Sequence, residues 1–105
     1  MKVKKGVSLR GVKWQMFLAC ILAEGVFVRR NYELVITSGS EGKHVHDTHA
    51  DGYAVDWRSR DIPKAEWSDI AVAVRTILPP GYDVVVESDH FHCEYDPRIT
   101  TGGVE

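Results

Sequence analysis

The stretch His49-Ala-Asp-Gly-Tyr-Ala-Val-Asp56 joins a loop histidine to a run with the composition of a β-strand. The run from Tyr53 to Trp57 alternates and is rich in strand formers, which predicts a strand with the Asp56 side chain on the same face as Ala54. Gly52 permits a tight backbone bend, so His49 can fold back toward the Asp56 carboxylate. The stretch therefore predicts a strand and half of a polar site.

A second polar cluster, Asp89-His-Phe-His92, follows another strand-like run, Asp83-Val-Val-Val-Glu87. Period-2 alternation places His90, His92 and Glu94 on one face. All five histidines of the chain, at positions 44, 46, 49, 90 and 92, fall in these two short segments. Two histidines and one aspartate suit a catalytic zinc site, which has three protein ligands and leaves the fourth position to water. The clustering predicts one bound Zn²⁺.

The rest of the chain has the pattern of a series of helices and strands. The order helix, strand, strand, helix, strand, strand predicts an α+β fold, a single small domain with a mainly antiparallel sheet and two flanking helices. The predicted helices cover residues 11–25 and 61–78, and the predicted strands cover residues 33–37, 53–58, 82–87 and 90–94. A loop rich in glycine, serine and histidine extends to residue 51, where function is expected.

Apolar periodicity also predicts which helix faces are buried. In the first helix the predicted core positions follow i, i+3, i+4, i+7 and i+8; they are Trp14, Phe17, Leu18, Ile21 and Leu22. In the second helix they are Trp67, Ile70, Val74 and Ile77. The first pattern favours a domain helix over the signal peptide that the preceding basic residues imitate.

Composition limits the classes of protein that the chain can belong to. Its 105 residues are enough for one domain, with residues 1–10 as a basic N-terminal arm and residues 96–105 as a flexible tail. The formal charge of −2 gives no electrostatic case for nucleic-acid binding, and no stretch approaches the roughly 20 apolar residues of a membrane span. Cys20 and Cys93 are expected to be free thiols, with Cys93 buried and facing away from His92.

Two motifs resemble those of a known family. Thr37-Ser-Gly-Ser-Glu-Gly-Lys-His44, followed by Thr48-His-Ala-Asp-Gly-Tyr-Ala-Val-Asp56, resembles the Ser-x-His-x-x-Gly-x-Ala-x-Asp signature of the D-Ala-D-Ala carboxypeptidase and L,D-endopeptidase family of zinc peptidases. Thr48 stands where that signature usually has serine. His90-Phe-His92 is similar to the His-x-His signature of the wider group, and the surrounding Glu87-Ser-Asp-His-Phe-His-Cys93 looks hedgehog-like. The resemblance covers roughly residues 33 to 95.

The resemblance implies a role for each matching residue. It implies zinc held by His49, Asp56 and His92 in a groove across the sheet, with His90 beside the bound water. Asp89 occupies the place of the general base, and Glu87 is the rival. His44 is implied as a substrate contact, with an ordinary polar loop residue as the alternative, and His46 has no assigned role.

Arg58 is a further candidate for binding substrate. Its guanidinium presents a planar fork of donors that could pair with a peptide carboxylate. A solvated arginine is the alternative.

The expected function is hydrolysis of amide bonds in bacterial peptidoglycan by a zinc metallopeptidase, either a carboxypeptidase or an endopeptidase. The partner would be a stem peptide or a crosslink, and the protein is expected to be a monomer. Without a convincing export signal, the chain suits a phage lysis enzyme that is cytoplasmic until lysis, or a virion component. The alternative is a non-catalytic, hedgehog-like zinc-binding interaction module. Three bonds, D-Ala-D-Ala, L-Ala-D-Glu and D-Ala-diaminopimelate, are all compatible with the sequence.

Overall fold

The order of helices and strands follows the predicted order, with one extra strand at the start. The computed structural model describes residues 1–42, 49 and 51–98. Within these residues the strands are β1 (Lys2–Val3), β2 (Val35–Ser38), β3 (Ala54–Arg58), β4 (Tyr82–Val86) and β5 (His90–Tyr95). The α-helices are α1 (Trp14–Arg29) and α2 (Trp67–Ile77), and a 3₁₀ turn over Lys64–Glu66 leads into α2.

The five strands form one open sheet in the order β1-β2-β3-β5-β4. All neighbouring strands are antiparallel except β1 and β2, which are parallel. Strand β5 lies between β3 and β4, and its register places His92 opposite Asp56 and His90 opposite Arg58. The sheet therefore brings the two polar clusters of the sequence to adjacent positions on neighbouring strands.

Both helices pack against one face of the sheet and against each other. The fully buried side chains of β3 and β5 on this face are Val55, Trp57, Phe91 and Cys93. Phe27 of α1 contacts Trp57 and Phe91 edge-on, with ring centroids 6.2 and 5.7 Å apart. In the part of the chain that the structure describes, no helix covers the other face. The prediction of a small single α+β domain with a mainly antiparallel sheet and two flanking helices is confirmed.

The predicted core face of α1 is wrong for three of its five residues. Trp14 is 68% exposed, and Phe17 and Ile21 are exposed as well. The buried residues are Met16, Ala19, Cys20, Ala23, Val26 and Phe27. The helix is apolar on most of its circumference, so periodicity could not identify the inner face, and the small Ala19 and Ala23 allow the closest approach to its neighbours. In α2, Trp67, Ile70 and Val74 are buried as predicted, whereas Ile77 is exposed.

The N-terminal residues form the edge of the sheet next to β2. Lys2 and Val3, in the segment predicted as a basic arm, form the parallel strand β1. The chain then passes the loop after β2, where the Ser40 N–H donates to the Ser8 carbonyl at 2.8 Å. The predicted tail, residues 96–105, lies outside the described residues from position 99 onward.

Candidate metal centre

Three of the predicted site residues converge on the open face of the sheet. The Asp56 Oδ1 atom lies 2.9 Å from His92 Nδ1 and 3.4 Å from His49 Nε2. One ligand atom from each residue lies within 4.8 Å of the others, so the group could hold a metal ion. We call His49, Asp56 and His92 the metal triad. Strands β3 and β5 supply Asp56 and His92, and the loop before β3 supplies His49.

The triad is electrostatically coupled. Burial alone would raise the pKa of Asp56, but hydrogen bonds with His49 and His92 and the charges of His49 and His90 outweigh it and hold that pKa well below the usual range. The hydrogen bond to Asp56 in turn raises the pKa of His92, despite the opposing effect of burial. Asp56 is therefore an anion at neutral pH, as a carboxylate ligand must be.

The second nitrogen of each triad histidine also has a partner. His49 Nδ1 lies 2.9 Å from the Gly39 carbonyl oxygen, to which it donates, so Nε2 is left to face Asp56. His92 Nε2 lies 3.0 Å from Glu94 Oε1, so Nδ1 faces Asp56. Such outer partners fix ring orientation and tautomer in metal sites. Sequence reasoning placed Glu94 on this face without giving it a role, and period-2 alternation from His92 was the available signal.

The Gly39 carbonyl is held by a close backbone contact that only glycine allows. A Cβ atom at position 39 would lie 2.2 Å from the Ser8 carbonyl oxygen. The Glu41 carboxylate accepts hydrogen bonds from the N–H groups of Gly39 and Ser8 and from the Ser38 hydroxyl, at 2.7 to 3.0 Å. The N-terminal segment therefore fixes the carbonyl that orients His49, a dependence that the sequence did not indicate.

A second glycine contact fixes the other end of the His49 loop. Gly52 has a φ of +82°, and a Cβ atom there would lie 2.1 Å from the Gly11 carbonyl oxygen. The Lys13 N–H donates to the Gly52 carbonyl at 2.8 Å. The predicted bend at Gly52 is present, and it brings His49 close to Asp56.

His90 lies next to the triad. Its Nε2 atom is 3.6 Å from Asp56 Oδ2, and its Nδ1 atom is 2.6 Å from Asp89 Oδ1. The Asp89 side chain is 83% exposed. An Nδ1–H donated to Asp89 leaves Nε2 as the nitrogen that faces the triad. Asp89 therefore orients the His90 ring.

Of the remaining candidates, Glu87 and Arg58 lie among the described residues. Glu87 is exposed, and its N–H donates to the His90 carbonyl, which closes the β4–β5 turn. Arg58 lies opposite His90 and borders a cleft of about 400 Å³ together with Asp56 and Asp89. The predicted substrate residue His44, like His46 and Thr48 of the sequence motif, lies outside the described residues.

The donor chemistry of the triad fits Zn²⁺. Two imidazoles and one carboxylate are ligands that zinc accepts, and three protein ligands leave one coordination position open. His49 would bind through Nε2, His92 through Nδ1 and Asp56 through a carboxylate oxygen. The same set is compatible with other divalent transition metals. The geometry therefore indicates a metal site without identifying the ion.

Neither cysteine belongs to the site. Cys93 is buried on the helix-covered face, opposite to His92, as predicted. Cys20 accepts a hydrogen bond from Trp57 Nε1 at 3.3 Å, and burial raises its pKa to about 11. Burial likewise raises the pKa of Cys93 well above its usual value. Both thiols are free and stay protonated at neutral pH.

Two further findings complete the description. None of the described helices is long and apolar enough to cross a lipid bilayer. Comparisons of the chain with protein-family models, with curated proteins and with solved structures gave no match.

Proposed function

We propose that the protein is a zinc-dependent peptidase that hydrolyses amide bonds of bacterial peptidoglycan peptides. The observation that carries the proposal is the convergence of His49 and His92 on Asp56, with their ligand atoms within 4.8 Å of one another. The two sequence motifs that resemble zinc peptidases contain these residues. A structural zinc site usually closes with four protein ligands, often including cysteine, whereas both cysteines here lie away from the triad.

The open face of the sheet supports a peptide substrate. The cleft that borders Asp56 and His90 has a volume of about 400 Å³ and is open to solvent. Zinc, when bound, would polarise the scissile carbonyl and lower the pKa of water at the site to about 7. A peptide lying across β3 and β5 would place its carbonyl next to the triad and next to His90.

His90 and Asp89 would supply the proton chemistry. As an imidazolium, which carries a proton on both ring nitrogens, His90 would donate from Nε2, which faces the triad, to the developing oxyanion and from Nδ1 to Asp89. One carboxylate oxygen of Asp89 remains available to take a proton from the attacking water and pass it to the leaving amine. Asp89 borders the same cleft as Asp56, which supports it as the base. Glu87 is the alternative.

Hydrolysis of purified muropeptides by the zinc-loaded protein, read by mass spectrometry, tests this proposal. We expect the unmodified protein to bind one equivalent of zinc and to form a new product. Asp56→Asn should lose both the zinc binding and the product. Asp83→Asn is the matched control, because Asp83 lies exposed on β4, opposite Glu94, and has no contact with the triad. Zinc bound by the unmodified chain without any product would contradict the peptidase and favour a non-catalytic zinc-binding interaction module.

The identity of the base needs its own pair of variants. Asp89→Ala should reduce turnover about 10²- to 10⁴-fold if Asp89 is the base, while zinc binding is retained. Glu87→Ala should then leave turnover within a few-fold of the unmodified protein. A large loss of turnover in Glu87→Ala and a small one in Asp89→Ala would identify Glu87 as the base. Asp89 would then only orient His90.

A further inference from the structure

The open face of the sheet is basic on one side of the metal triad. Lys4, Arg58 and Arg60 line the cleft, together with the carboxylates of Asp56 and Asp89 and the ring of His90. Among the described residues, neither Lys4 nor Arg58 forms an ion pair with a carboxylate, and Arg60 reaches the exposed Asp61 only at 4.0 Å. Three cations thus converge on a polar cleft beside the triad.

The other side of the triad is acidic. A second cleft of about 400 Å³ is lined by Asp51, Glu94 and Asp96, together with Tyr53 and Tyr95. Arg98, which also lines this cleft, is bound by Asp96 at 3.0 Å. An anionic group on the substrate is therefore attracted to the first cleft and repelled from the second.

The register of β3 and β5 gives the charge gradient a direction. Three cross-strand pairs follow one another on this face: Ala54 with Glu94, Asp56 with His92, and Arg58 with His90. Arg58 is two residues along the strand from Asp56, about 6.6 Å. An extended peptide advances about 3.3 to 3.6 Å per residue. A carboxylate at Arg58 would then lie one or two residues beyond a carbonyl held at the triad.

We propose that Arg58, with Arg60 and Lys4, binds the C-terminal carboxylate of the substrate, so that the protein is a carboxypeptidase that releases one or two residues. This inference rests on the proposed peptidase function. The planar guanidinium fork of Arg58 matches a carboxylate through two parallel hydrogen bonds. Hydrolysis breaks the amide C–N bond; the water oxygen goes to the carbonyl carbon, and a proton goes to the nitrogen of the released product. Arg58 determines specificity and takes no part in proton transfer.

A comparison of a free-acid substrate with its amide tests the proposal. The substrates are the stem pentapeptide L-Ala-D-Glu-diaminopimelate-D-Ala-D-Ala as the C-terminal acid and as the C-terminal amide, with the zinc-loaded full chain. We expect kcat/KM to be roughly 10- to 100-fold higher for the acid, the contribution of a hydrogen bond between charged groups. Arg58→Gln should remove this preference, mainly by raising KM for the acid. Arg60→Gln should act in the same direction, and Arg29→Gln, at an exposed helix end away from the cleft, should have no effect.

The outcomes separate this inference from the function on which it rests. Equal hydrolysis of acid and amide, unaffected by Arg58→Gln, would overturn the carboxylate subsite and leave the peptidase intact. Hydrolysis of the amide at an inner bond that still depends on Arg58 would assign the cleft to a side-chain carboxylate and overturn the C-terminal assignment. Without hydrolysis of either substrate, calorimetry with acetyl-D-Ala-D-Ala as acid and amide decides. Tighter binding of the acid that Arg58→Gln abolishes supports the subsite, and equal binding overturns it.

Discussion

The two faces of strands β3 and β5 differ completely, although alternate residues of the same short stretches build them. On the covered face Val55, Trp57 and Phe91 are buried under the two helices. On the open face His90 and His92 both contact Asp56. Successive residues of a strand point to opposite faces, so one residue packs in the core and the next belongs to the site. Substitutions at neighbouring positions should therefore affect stability in one case and metal binding in the other.

A substitution on the covered face should lower the free energy of unfolding most. Phe91→Ala should lower the free energy of unfolding by about 3–5 kcal/mol, because it leaves a cavity beside Phe27 and Trp67. Val85→Thr, on the exposed side of the adjacent strand, should change that free energy by less than about 0.5 kcal/mol. Denaturant unfolding of the metal-free proteins measures both values. A similar loss of unfolding free energy in both variants would contradict the difference between the covered and the open face.

The covered face should also resist the introduction of charge. The pKa of Cys20 rises from 9.0 to about 11 on burial, so the unfolded chain loses its thiol proton first as the pH increases. The contribution of the neutral thiol to the free energy of unfolding is fully present below pH 9 and is lost as the pH rises to about 11. The loss amounts to about 3 kcal/mol. Cys20→Ala should make the profile of unfolding free energy against pH shallower over this interval. An unchanged profile would show that the Cys20 thiol ionises as easily in the folded protein as in the unfolded chain.

On the open face, Glu94 should affect metal affinity and little else. Glu94→Gln removes the charged partner of His92 Nε2, and loss of such a partner typically lowers metal affinity 10- to 100-fold. Asp83→Asn removes the carboxylate directly opposite Glu94 in the sheet, without a contact to His92. Zinc titration calorimetry distinguishes the two variants. An equal loss in both would mean that the charge of the face, and not the orientation of His92, determines affinity.

The smallest effects come from the same substitution at two glycines. Gly39→Ala should push the Ser8 backbone away and disturb the carbonyl that orients His49, lowering zinc affinity by about tenfold. Gly25→Ala, on the exposed side of α1 with no atom near the added Cβ, should raise the free energy of unfolding by about 0.5–1 kcal/mol without changing zinc affinity. Calorimetry and denaturant unfolding of both variants check these signs. Unchanged zinc affinity in Gly39→Ala would mean that the Gly39 carbonyl does not orient His49.

The strand pattern predicted much of this arrangement from the sequence. Alternation around Asp56 and His92 is a local property, and it correctly placed Cys93 on the covered face and Glu94 beside His92. The helix pattern of α1 failed because exposed Trp14 and Ile21 are as apolar as the buried residues. Only the competition between packing arrangements selects the inner face of such a helix.

Local sequence patterns could not predict the backbone contacts between residues that are distant in the chain. Gly39 looks like any loop glycine until Ser8 lies against it, 31 positions away in the chain. Strand β1 has only two residues and therefore shows no periodicity. The roles of Asp89, Glu87 and Arg58 in catalysis and substrate binding stay predictions, because they depend on a bound substrate.

The insertion of β5 between β3 and β4 has a consequence for folding kinetics. The β4–β5 hairpin is local, whereas the pairing of β5 with β3 closes a long segment of chain, so we expect that pairing to form later. Asp56 and His92 face each other across that late-forming boundary. We expect this contact to form after the folding transition state, so a metal held between the two residues would cross-link it late. We therefore expect zinc to slow unfolding much more than it accelerates folding.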